Sequence, residues 1–183
     1  MMIPTLFNGT VSSSACSPTT IPYPALFGAE FLSLEANLVA NYSRHIPSGF
    51  YINHGAVNVT DVSFCNVTVT YTHPGQNDNI EVQVWLPINT WNGRMQAIGG
   101  AGWQAGLHYA GLMGMIASVG EGYTVSTDDG LGSNTSPANW GLLSEGNPNL
   151  YLLQNLGSVS LNDAAAIGKS ITKRFYGQAP KFS

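Results

Sequence analysis

The sequence predicts an α/β protein in which an antiparallel hairpin leads into a parallel, doubly wound sheet with flanking helices. Three observations carry that reading. Two runs, "FCNVTVTY" and "IEVQVWLP", alternate inward and outward residues with the period of a strand. Beyond them, strand-like and helix-like segments follow one another in turn, as they do in a parallel sheet. The stretch from Leu150 to Phe175 repeats its apolar positions at helical spacing.

Each element can be justified in order. Residues 1–60 are irregular, rich in Pro, Ser, Thr and Asn, and read as an N-terminal extension lying on a domain that fills residues 61–183. One short candidate helix occurs in it, "GAEFLSLEANLV", in which Phe31, Leu34 and Leu38 fall on one face. The first hairpin strand puts Cys65, Val67, Val69 and Tyr71 on one side, and the second does the same with Ile80, Val82, Val84 and Leu86. "THPGQNDN" supplies the turn between them. "GRMQAIGG" is a short strand feeding a glycine-rich turn, and "LHYAGLMGMIASVGEG" is a helix ended by Gly120 or Gly122. "YTVSTDD" is a further strand. The long amphipathic helix then carries Leu152, Leu156, Val159, Ile167, Ile171 and Phe175 on its apolar face and stops at "YGQAP", with a last strand starting at "KFS".

Composition narrows the partners. The chain has 183 residues, 44 % hydrophobic and 9 % charged, enough for one domain or part of one. Six Lys and Arg against a formal charge of −4 leave no basic patch able to neutralise a run of phosphates, so nucleic acid is not an expected partner. No window approaches the length of an apolar membrane span, and no signal peptide is readable at the start. The expected compartment is extracellular. Asn-x-Ser/Thr sequons at Asn8, Asn41, Asn58, Asn66 and Asn134 are candidate glycosylation sites, and the two cysteines, Cys16 and Cys65, fit one bridge in an oxidising compartment, with two buried thiols as the alternative.

The glycine turn "AIGGAGWQAG" admits three readings. Gly100, Gly102 and Ala105 match a dinucleotide fingerprint after a strand, with Asp128 or Asp129 near the place of a ribose-binding acid; that would make an NAD(P)-dependent oxidoreductase. The bulky Trp103, Gln104, Leu107, His108 and Tyr109 sit where that fingerprint normally opens a helix. Glycines after a strand can also aim backbone N–H groups at the oxyanion of an ester under attack. Otherwise they serve only close packing of strand on helix, as in a non-catalytic secreted module.

The surrounding text favours the second reading. "NGRMQAIGGAGWQAG", "VGEGYTVSTDDGLGS", "ANWGLL" and "NPNLYLLQNLGSVSLNDAAAIGKSITKRFYGQAPKFS", in that order, resemble the tannase and feruloyl esterase family of secreted carboxylic ester hydrolases over roughly residues 60–183. Two features differ from that pattern: Ala101 interrupts the glycine run, and "DDGLG" stands in place of a threonine, glycine and histidine. The resemblance implies an α/β-hydrolase fold, of which this chain is the N-terminal portion, acting on esters of phenolic acids.

In that family a serine in a Cys-Ser-x-Gly-Gly elbow, an aspartate and a histidine act together, and a calcium ion lies in an inserted lid. The resemblance therefore places nucleophile, acid and histidine beyond Ser183, and the calcium with the absent lid. The chain is expected to be an N-terminal fragment, inactive alone, whose triad could come from a second chain. Its own contribution is the backbone half of an oxyanion hole, with Gly100 and Ala101 as donors.

No local residue is expected to substitute. Of His45, His54, His73 and His108, none has a serine-elbow context, nor has Ser133. His73, ahead of Pro74 in the hairpin turn, is expected to be solvent-exposed. His108 is assigned to packing or the surface, Asp128 and Asp129 to ending a strand and capping the next turn, and Asp163 to accepting a structural hydrogen bond. No H-x-x-x-H or C-x-x-C spacing suggests a metal site.

Overall fold

A computed structural model describes residues 11–48, 55–129 and 136–183. Asn8, His54, Ser133 and Asn134 lie outside the described residues, as does the side chain of Asp129.

Five strands form one mixed sheet: β1 (Glu30–Ile46), β2 (Val57–Thr72), β3 (Ile80–Pro87), β4 (Met95–Ile98) and β5 (Thr124–Asp129). Their order is β1-β2-β3-β5-β4. β1, β2, β3 and β5 pair antiparallel with their neighbours, and only β4 and β5 run parallel. The helix α1 (Tyr109–Gly120) crosses over between those two. The C-terminal residues lie alongside the free edge of β4, with a parallel bridge between Arg94 and Phe182 and a bond from the Met95 N–H to the Phe182 carbonyl at 3.0 Å. The strand expected at "KFS" is present here only as this isolated bridge.

The hairpin follows its alternation. Cys65, Val67, Val69 and Tyr71 lie opposite Leu86, Val84, Val82 and Ile80, and all eight are buried. They face the long C-terminal helix, whose Ala164, Ile167, Ile171 and Phe175 complete that core. Trp91 and Tyr176 close it with rings stacked 3.8 Å apart, and the Tyr176 hydroxyl donates to the Pro87 carbonyl at 2.7 Å. The opposite face carries Phe64, Trp85 and Val125 against Met113, Ile116 and Val119 of α1. Helices therefore cover both faces, but the sheet is mixed and not the parallel, doubly wound one expected, because β5 pairs antiparallel with β3 and only β4 and β5 run parallel.

Two expectations need correction. Residues 28–39 are not a helix: from Glu30 onward they belong to β1, a 17-residue strand at the sheet edge. A bulge between Phe31 and Ser33 explains the misreading. One extra residue shifts the alternation, so Phe31 shares a face with Leu34 and Ala36, and the resulting apolar spacing imitates a helical stripe. Because β1 pairs along its length with β2, residues 30–46 are an integral part of the sheet, and residue 60 falls inside β2. The part of the segment that does lie on the domain is shorter; Val11, Ala15, Cys16, Ile21 and Leu26 pack against the core beneath the C-terminal helix.

That helix is continuous but not uniform. It begins as α2 (Leu150–Gln154), widens into a π turn at Asn155–Val159, and continues as α3 (Ser160–Tyr176), ended by Gly177 in the left-handed conformation at φ 72°. Cys16 and Cys65 form a disulfide across 49 residues of sequence, tying the N-terminal segment to the middle of β2. Among the described residues, no helix is long and apolar enough to cross a membrane.

Candidate active site

The glycine turn lies at the C-terminal end of the parallel pair, where loops of an α/β sheet present ligand-binding groups. Its entry is tied by the Thr127 hydroxyl, which donates to the Ile98 carbonyl at 2.6 Å. Its exit is tied to the next residue of β5: the Gly106 N–H donates to Asp128 Oδ1 at 3.1 Å, and the Leu107 N–H to the Asp128 carbonyl at 3.0 Å. Between these anchors the Gln104 N–H donates to the Ala101 carbonyl at 3.3 Å. Among the described residues, neither the Gly100 nor the Ala101 N–H has a hydrogen-bond partner. Both residues are exposed.

Sterics explain the glycines. A Cβ on Gly100 would come within 1.9 Å of the Gln104 carbonyl oxygen, because the turn folds back on itself there. One on Gly106 would meet Thr127 Oγ1 at 1.7 Å, and one on Gly111 would meet the Gly106 carbonyl oxygen at 1.8 Å. The turn, the end of β5 and the first turn of α1 are thus in backbone contact. Close packing and unpartnered N–H groups coexist, since the same turn supplies both. Beside it lies a shallow cleft of about 120 Å³ lined by Gly99, Gly100, Ala105, Asp128, Leu156 and Leu161.

The dinucleotide reading does not fit this geometry. α1 starts only at Tyr109, so its N-terminus does not follow directly on Gly102 as pyrophosphate binding requires. Asp128 is 1 % exposed and engaged by Gly106 and by the Ser160 hydroxyl, which leaves nothing for a ribose.

The histidines separate clearly. His73 is a correction: it sits at the hairpin turn but is buried, with Nδ1 2.6 Å from Asp78 Oδ2 and Nε2 3.2 Å from Asp163 Oδ2. The helix covers the turn, and its Asp163 also accepts from the Tyr71 hydroxyl at 3.1 Å, the structural role expected of it. Burial alone would raise the Asp78 carboxyl. The His73 ring and N–H, the Thr72 hydroxyl and the Asn155 amide reverse that and hold it below its ordinary value. Burial, and then the neighbouring Asp163, push the Tyr71 phenol well above its usual range. His45 Nδ1 is 2.5 Å from Asn58 Oδ1 on the exposed ends of β1 and β2. His108 is the N-cap residue of α1, half-buried. Neither His45 nor His73 has a serine hydroxyl as its ring partner.

Gly106, Gly111, Ser160, Asn155 and Asp78 join the site without being singled out by the sequence. Only the glycine spacing around "GWQAG" could have signalled the first two; the others meet across distant parts of the chain.

The mixed sheet, crossover helix and glycine turn after the parallel strand give the chain an α/β-hydrolase-like fold. Its fold matches the structure of tannin acyl hydrolase from Aspergillus niger with a TM-score of 0.71 at 24 % identity, over 98 % of this chain and 32 % of that one. A family model described as tannase and feruloyl esterase matches residues 65–183. A probable feruloyl esterase of Arthroderma benhamiae is 38 % identical over 167 residues, 90 % of this chain and 30 % of its own. Aspergillus oryzae tannase is 29 % identical over 132 residues, 68 % of this chain and 21 % of its own. The chain belongs to the tannase and feruloyl esterase family and spans about a third or less of these relatives' length.

Proposed function

We propose that this chain is part of a secreted carboxylic ester hydrolase acting on esters of phenolic acids, and that Gly100 and Ala101 supply the backbone N–H groups of its oxyanion hole. The observation that carries the reading is the pair of unengaged N–H groups in a turn anchored at both ends to β5, at the end of the parallel strands. Such donors stabilise the negative oxygen of a tetrahedral intermediate, and removing one typically costs about 100-fold or more in rate. The nucleophile, acid and histidine of this reading come from residues outside these 183. The Cys16–Cys65 bridge supports an oxidising compartment. Glycans at the exposed Asn41 and Asn58 belong to the same proposal.

The test is hydrolysis of methyl gallate and methyl ferulate by the 183-residue chain and by the product of the reading frame continued past Ser183. Activity only in the longer product is the expected result. Hydrolysis by the short chain would overturn the division of residues, and a continued frame without activity would overturn the esterase reading itself.

A further inference from the structure

We propose that Asp128 is a positioning residue that sets the direction of the oxyanion N–H groups, and that Ser160 and the π turn hold its carboxylate for that task; this rests on the esterase reading above. Residues 99–105 have a single internal backbone bond, so their path depends on the two anchors on β5. Thr127 fixes the entry. Asp128 fixes the exit with two groups at once, its carboxylate on Gly106 and its carbonyl on Leu107. The second carboxylate oxygen accepts from the Ser160 hydroxyl. With both oxygens taken by donors, the buried carboxylate is fixed in rotation beside the glycine cleft.

What fixes Ser160 is the widened helical turn. The Asn155 carbonyl accepts from the Ser160 N–H in the π pattern and lies 2.8 Å from the Ser160 hydroxyl. The Asn155 amide in turn donates to Asp78 Oδ2 at 3.0 Å, beside His73. An unbroken line of polar contacts therefore runs from the hairpin turn, through the π turn and Ser160, to Asp128 and Gly106. A regular α-helix would bond the Asn155 carbonyl one residue earlier, at the N–H of Val159, and draw it away from Ser160. Oxyanion donors act through pre-organisation, so loosening one anchor reduces turnover while ground-state affinity stays nearly unchanged.

The test compares Asp128→Ala, Asp128→Asn and Ser160→Ala in the esterase that contains this chain, with kcat and KM measured separately and amide hydrogen exchange followed across residues 99–107. In Asp128→Ala, kcat should fall about tenfold or more with KM within about twofold. Asp128→Asn keeps an oxygen acceptor for Gly106 and should recover most of that loss. Ser160→Ala should give an intermediate loss, and it serves as the readout if Asp128→Ala does not fold. Exchange should accelerate at Gly106 and Leu107. An unchanged kcat in both alanine variants, or an Asn variant as impaired as the Ala one, would overturn the proposal. Were the parent protein to lack esterase activity, the exchange data would still decide the anchoring: faster exchange confined to the turn supports it, unchanged exchange overturns it.

Discussion

Gly106 lies where β4, β5 and α1 come closest, with Thr127 on one side and Gly111 on the other. No shift of a flexible side chain can make room, because Ile98's carbonyl would also lie 2.7 Å from an added Cβ. Gly106→Ala should therefore lower stability by about 1–3 kcal/mol, as overpacking does. Gly99→Ala should be nearly neutral, since its Cβ would meet only the end of the Leu161 side chain at 3.2 Å. Urea midpoints of the two variants test the contrast. Asp78 permits a second prediction at this scale. Its folded pKa lies below the unfolded value of 3.8, so its contribution is complete above that value and is lost as pH falls through the folded pKa. The urea midpoint should drop as pH is lowered from about 5 to about 2, and Asp78→Asn should flatten that drop.

Among the elements, β1 depends most on long-range support. The disulfide holds residue 16 to β2 immediately inside β1, and closing a loop of this length stabilises by about 4 kcal/mol in the chain-entropy account. Reduction, or Cys16→Ser, should lower the melting temperature by several degrees, as scanning calorimetry would record. The outer edge of β1 is also where Asn41 lies, exposed at a bulge with φ 54°. A glycan there would blunt an unpaired strand edge. Asn66, between β1 and β3, is half-buried and its amide is 3.5 Å from Gln83 Oε1. Peptide mapping of the protein expressed through a glycosylating secretory pathway should find glycan on Asn41 and none on Asn66.

Over the whole molecule, two buried phenols brace the core from opposite ends: Tyr71 donates to Asp163 on the long helix, and Tyr176 on that helix donates to Pro87. Burial raises both far above the ordinary value of 10.0. Unfolded tyrosines ionise as pH passes that value while the folded ones stay neutral, so stability should fall as pH rises from about 9 to about 11. Tyr71→Phe, compared by urea midpoint over the same range, should show a shallower fall.

The sequence by itself determined the elements whose signal is local. Alternation in β2 and β3 reports which face is buried, and the 3.6-residue repeat with Gly177 delimits the last helix, because each pattern arises from the element's own geometry. The glycine turn and its family resemblance were legible for the same reason, being contiguous in the chain. Tertiary structure alone decided the rest. β1 is a strand because β2 lies beside it and a bulge absorbs the shifted spacing, which no local window records. His73 is buried because a helix some ninety residues away brings Asp163 over it. Asp128 faces inward because Ser160 meets it across 32 residues of sequence. Burial and hydrogen-bond partnership are properties of distant neighbours, and only the folded chain brings those neighbours together.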